Sequence, residues 1–173
     1  MALSDNSCDL RSRLLGRIHE NDIRELCHMI QCCENHSLTE QLYRLMFDAD
    51  KRVSDNAAWL FTHLDTARRQ WLYPKCDELM QEAMHTSSET KCRLLLTLLA
   101  AQPFREENLR TDFLDFCMNR MISSGSPAGI RALCMKLSYL QCRLYPELLA
   151  ELRSALEMLE EASPLSPALK VAR

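Results

Sequence analysis

Three side chains at matched spacing have the chemistry to hold a soft divalent metal. His28, Cys32 and His36 stand four residues apart. That spacing sets them along one side of a helix, and imidazole and thiolate ligands so arranged suit zinc or nickel. The same segment carries a second stripe, Ile23, Leu26, Cys27 and Ile30. At about 100° per residue the two stripes lie roughly opposite, so the metal-like face is the solvated one. Ser37, three residues before Glu40, reads as the cap of the next helix, which leaves His36 beyond the end of this one. No Cys-x-x-Cys pair stands elsewhere to close a structural zinc site. The expectation is therefore no metal and no other cofactor.

Nucleophilic chemistry has no better footing. Nine cysteines and five histidines are available, but no local signature marks a catalytic pair. The cysteine count is odd, and a chain of 173 residues does not need a disulfide scaffold. Most of the cysteines sit where a small apolar residue fits a helical core. They read as buried, reduced thiols of a cytoplasmic protein. The only glycines are Gly16, Gly125 and Gly129, so no phosphate-cradling loop exists. The last two flank Pro127 and read as a turn. These absences point to a non-enzyme.

The charged and aromatic residues suggest binding. Carboxylates fall on alternate helical segments as Asp77, Glu78 and Glu82, as Asp112 and Asp115, and as Glu147, Glu151 and Glu157. Arg44, Lys75, Arg110 and Arg153 dilute them. Trp71 and Tyr73 begin one of these segments and Tyr43 lies on the one before; rim aromatics are common interface anchors. Basic residues collect instead at connections, as Lys51 and Arg52, Arg68 and Arg69, Arg105, and Arg143. Aligned along one edge they would form a ladder of phosphate contacts. The net charge of −3 opposes nucleic acid as the main partner.

The elements that position these residues are helices. Apolar residues recur at helical spacing, and no stretch alternates like a strand. Helices are predicted at 8–18, 22–35, 38–49, 52–64, 67–85, 89–101, 107–122, 127–141 and 145–161. Asn21 and Ser126 suit N-caps, and Pro127 suits a first turn. Pro74 and Pro146 should open or restart a helix. Ser163-Pro164-Leu165-Ser166-Pro167 cannot continue the last helix, so residues 163–173 are expected to be a disordered tail beyond one domain at 1–162. The longest apolar run, Leu94 to Ala101, is too short to span a bilayer, and the first ten residues lack a signal-peptide pattern. A soluble, intracellular protein without membrane contact is expected.

The helical pattern repeats. Leu72, Cys76, Met80, Ala83 and Met84 recur 37 residues on as Leu109, Phe113, Cys117, Arg120 and Met121. A further 35 residues give Leu144, Leu148, Leu152, Ala155 and Leu156, and 34 residues back from Leu72 stand Leu38, Leu42, Met46, Ala49 and Asp50. The preceding helices repeat too. Val53, Asn56, Ala57 and Leu60 match Ile130, Leu133, Cys134 and Leu137, and also Ile23, Leu26, Cys27 and Ile30. A weaker copy is Ser88, Lys91, Cys92 and Leu95. A period near 35 residues, two helices per unit, is that of a helical solenoid. Its stability comes from packing between neighbouring repeats.

The segment from Asp48 to Leu60, an acidic turn leading to Val53, Ala57 and Leu60, resembles a HEAT-repeat junction. The family's usual arginine after the valine is Ser54 here, whereas Arg24 and Arg131 follow the matching aliphatic in two other copies. The resemblance spans about 21–160 and implies an all-α, ARM-like fold. That fold would be a right-handed α-α superhelix of about four HEAT-like helix pairs, capped by the helix at 8–18. It also implies a non-catalytic scaffold with the second helix of each pair lining the concave side. On that reading the docking face comprises Tyr43, Arg44, Trp71, Lys75, Asp77, Glu78, Glu82, Asp112 and Asp115, and takes a protein partner. The alternative is a nucleic-acid-associated relative of the HEAT-like glycosylases that repair alkylated DNA, which use a concave basic surface. No matching basic groove stands out here.

Overall fold

A computed structural model describes residues 5–32, 36–106 and 109–162. Every α-helix and 3₁₀ turn in it follows from good helix formers punctuated by caps and prolines. In chain order they are α1 (Asp5–Leu15), α2 (Glu20–Gln31), α3 (Ser37–Leu45), α4 (Lys51–Thr62), α5 (Thr66–Gln70), α6 (Cys76–His85), α7 (Glu89–Leu99), α8 (Thr111–Ile122), α9 (Ala128–Cys142) and α10 (Pro146–Ala162). A 3₁₀ turn at Tyr73–Lys75 precedes α6. Among the described residues there are no strands. The expected tail at 163–173 lies outside them.

The starts show what local chemistry does. Asp50 caps α4, its carboxylate accepting the N–H groups of Arg52 and Val53. Asp65 does the same for α5 and Ser88 for α7. Two expected caps sit one residue off. Ser37 is already helical, with His36 before it in the left-handed region at φ 53°. Ser126 precedes Pro127, which itself stands at the N-cap of α9. The α2 helix begins before Asn21, with Asp22 accepting the His19 N–H at 2.8 Å. The single helix expected over 67–85 is broken at Pro74, whose ring carries no N–H and forces the 3₁₀ turn.

The apolar stripes meet in one continuous core. Leu38, Leu42, Met46, Leu72, Cys76, Met80, Phe113, Cys117, Met121 and Leu152 are all buried, as are Val53, Ala57, Leu60, Ile130, Cys134 and Leu137. Even the weaker copy, Ser88, Lys91, Cys92 and Leu95, is buried throughout. At the HEAT-like junction the Ser54 hydroxyl donates to the Met46 carbonyl at 2.6 Å. The turn is thus closed without the family's arginine.

The pairing of helices departs from expectation. Tight hairpins form between α3 and α4, α6 and α7, and α8 and α9, each across a short turn. Of the expected pairs, shifted by one helix, α4 with α6 is joined through α5 and α7 with α8 through the longer 100–110 connection, and both touch less; α9 and α10 do pack together across a short turn. Two rows result. The helices α4, α7 and α9 pack closely on one another, whereas α6, α8 and α10 touch sparsely. In a curved stack the closely packed row is the inner one. By this packing α4, α7 and α9 form the inner row, and α6, α8 and α10 the outer one. The expected docking residues stand on α3, α6, α8 and the turn before α6, outside the closely packed row.

The expected capping helix forms but docks against α4 and α3. The Arg11 guanidinium grips both Asp48 oxygens, at 2.7 and 2.9 Å. The Asn56 amide donates to the carbonyls of Leu14 and Gly16 at 2.8 and 3.2 Å. Hydrogen bonds from Arg11 and from the Asp50 N–H pull the Asp48 carboxyl down to about 2. A depressed carboxyl contributes stability above its unfolded value, near pH 4, and loses it as pH falls towards 2. Arg11→Ala should therefore lower Tm at about pH 6 and by much less at about pH 2. Thermal melts across that range check this, and a deficit of undiminished size at the acid end would contradict it.

Candidate protein-docking faces

The outer row gathers the expected site residues into two clusters that are largely occupied with holding repeats together. In the first, Tyr43 of α3 is 4% exposed and donates its hydroxyl to Glu78 of α6 at 2.6 Å. Its ring meets Trp71 edge-on at 5.8 Å, and the Lys75 ammonium lies over both rings at 4.7 and 5.2 Å. Burial, then the Glu78 hydrogen bond, raise the Tyr43 phenol well above its ordinary value. Tyr43 and Trp71 are thus a staple between repeats and not rim anchors. Glu78, which looked like a free surface acid, closes that staple.

The second cluster centres on Arg110. It binds Asp112, reaches the Asp77 carbonyl at 3.2 Å and Gln81 at 3.2 Å, and holds the Asp112 carboxyl below its ordinary range. Asp77 and Asp112 thereby bridge α6 and α8. Glu82 pairs with Lys91, a buried lysine on α7. Of the remaining expected residues, Arg44 pairs along its own helix with Glu40 at 3.1 Å, and Asp115 is exposed.

The inner row presents a different surface. The α9 helix contains no acidic residue. The one acid of α7, Glu89, is held by Arg120 at 2.7 Å, and the one acid of α4, Asp55, accepts the Ser88 hydroxyl at 3.1 Å. Exposed positions on this row carry Lys51, Arg52, Arg93 and Lys136. None of these four makes an ion pair among the described residues. Trp59 is half-buried, packed edge-on against His63 at 5.2 Å, and Tyr139 is 52% exposed. Four exposed basic residues and two aromatic ones therefore stand on this row, although sequence reasoning found no basic surface. Its signal was the missing acids of α9, which counts only once α9 is known to line the inner row.

The metal-like stripe is partly assembled. Cys32 Sγ lies 3.6 Å from His28 Nδ1 on the exposed side of α2, as the spacing requires. His36 belongs to the start of α3 and does not join them. Among the described residues no three His, Cys, Asp or Glu side chains converge as metal ligands would.

Seven described cysteines are free thiols, and all but Cys32 are buried. Desolvation pushes Cys76 and Cys92 up to about 11 and raises Cys27, Cys117 and Cys142, with Cys134 adding to the effect on Cys117. The nucleophile is the thiolate. An alkylating reagent at neutral pH should therefore modify Cys32 quickly and spare these five, with Cys134, until the chain unfolds. Peptide mapping checks this, and rapid labelling of Cys117 in the folded protein would contradict it. No described helix is long and apolar enough to cross a membrane.

A family model described as HEAT repeat domain matches residues 10–173. No curated protein and no solved structure matches the chain.

Proposed function

Because the chain belongs to the HEAT repeat domain family, we propose that it is a non-catalytic protein-interaction scaffold whose inner row, α4, α7 and α9, holds a partner. HEAT repeats generally mediate protein–protein contact. The observation that carries the finer reading is the inner row itself. Lys51, Arg52, Arg93 and Lys136 are exposed there without internal carboxylate partners, next to half-buried Trp59 and exposed Tyr139. An acidic segment with one or two apolar anchors complements that surface. The outer-row acids, tied to Arg110, Lys91 and Tyr43, serve the stack. The protonated, buried thiols fit a reducing compartment, and the cytoplasm is the proposed location.

The same basic row is what a phosphate backbone would meet, so nucleic acid is the second reading, as in HEAT-like alkylation-repair glycosylases. Capture of the tagged protein from its own cells, with and without nuclease, separates the two. The scaffold reading expects an acidic protein partner that survives nuclease. Loss of all captured material on nuclease treatment, with binding that falls steeply in added salt, would replace it with the nucleic-acid reading.

A further inference from the structure

Between α9 and α10, the last helices described, runs a groove of about 340 Å³. Its floor is the buried pair Met135 and Leu152. Half-buried Leu149 and Leu156 and the 52% exposed Tyr139 form its sides. One cation stands on each helix beside it, Lys136 on α9 and Arg153 on α10, both exposed. No carboxylate is among the described residues that line it. Neither cation makes an ion pair among the described residues. The α9 helix has no acid at all. On α10, Glu147 and Glu151 project from the side away from the groove, at about 100° per residue. Glu157, a turn beyond Arg153, is exposed and does not pair with it.

The form of the groove selects a helix. From Leu149 to Leu156 its α10 wall covers about two helical turns, roughly 10 Å at about 1.5 Å per residue. That is room for apolar residues at i, i+4 and i+7 of a partner helix. An extended segment fits worse. Both walls are α-helices, whose backbone groups are paired internally. A strand laid there would bury N–H and C=O groups with nothing to meet them, whereas a helix satisfies its own. Charge then decides between occupants. A symmetric dimer through this patch would set two cations against their own copies. Residues 163–173 carry Lys170 and Arg173 and no acid, so the chain's own tail meets the same repulsion. A partner segment with acids on its flanks is complementary instead.

We propose that this groove receives one amphipathic helix of another protein. Its apolar residues pack against Met135, Leu149, Leu152 and Leu156, and acids on its two flanks reach Lys136 and Arg153. The Tyr139 ring supplies an aromatic anchor beside it. This rests on the scaffold reading above and carries it around the end of the inner row, because Lys136 and Tyr139 belong to both surfaces.

A synthetic peptide of about 15 residues, with leucines at i, i+4 and i+7 and glutamates flanking them, tests this. A second peptide keeps the leucines and carries lysines instead. Fluorescence anisotropy with the full chain at about 0.15 M salt, where exposed charges more than about 8 Å apart are screened, reads both. The acidic peptide should bind with a Kd below about 100 μM, and the basic one at least about tenfold more weakly. Arg153→Glu and Tyr139→Ala, both exposed changes, should each weaken the acidic peptide at least about tenfold; melts confirm that both variants fold. Arg52→Glu, on α4 of the inner row, should leave its Kd within about twofold. No binding of the acidic peptide, or equal binding of the two peptides, would overturn the groove site. Loss with Arg52→Glu but with neither groove variant would overturn it too, while keeping the inner row as the docking face. A dimer in sedimentation that Arg153→Glu dissociates would give the groove to a second copy. Tighter peptide binding after Leu165→Ser with Leu169→Ser would give it to the chain's own tail, and either result overturns the proposal.

Discussion

Replacing Glu82 with alanine should destabilise the protein by about 3–5 kcal/mol, the usual cost of stranding a buried charge. Its partner Lys91 sits on α7 at a position of the buried stripe and is only 6% exposed. The ammonium reaches Glu82 on α6 and lies 5.6 Å from the Phe47 ring centre. Without Glu82, whose side chain is 29% exposed, it keeps only the weak attraction of that ring and whatever water enters at the vacated position. The pair as a whole need not be net stabilising, since desolvating two charges is itself costly. Glu82→Leu combined with Lys91→Met should therefore recover most of what Glu82→Ala loses. Urea unfolding of the three variants checks both statements. A loss below about 1 kcal/mol for Glu82→Ala would mean that Lys91 reaches water and that Glu82 is a surface acid after all.

Leu60→Ala should cost about 2–5 kcal/mol, as deletion of fully buried side chains does. Leu60 is 0% exposed on α4, a helix that packs against α1, α3 and α7. The cavity left there would weaken the contacts between repeats, from which a stacked protein draws its stability. Asp115→Ala, an exposed change on the outer row, should stay within about 0.5 kcal/mol. Chemical denaturation distinguishes them, and comparable losses at the two sites would refute the assignment of faces.

The repeat was legible because most copies keep apolar residues at the buried positions of the stripe, although Leu144, which opens the last copy, is 37% exposed. The copies at Leu38, Leu72 and Leu109 show it, down to the buried Met46, Met80 and Cys117. The pairing was not legible, since consecutive helices carry similar stripes and connection length decides which neighbours close into a hairpin. That pairing is what separates the proposed docking row from the one expected. Tyr43 and Glu78 illustrate the same limit: each looks like a surface residue in its own helix, and their hydrogen bond joins positions 35 residues apart. Lys91 did leave a trace, as a lysine within an otherwise apolar stripe, which calls for a carboxylate nearby.

The central claim is that the inner row is the docking face. Two charge-reversed proteins test it most directly by the recovery of the nuclease-resistant partner. Arg93→Glu with Lys136→Glu should abolish recovery, while Asp77→Lys with Asp115→Lys should leave it near wild type. The opposite pattern, partner lost only with the outer-row reversal, would contradict the account and return the site to the acidic row.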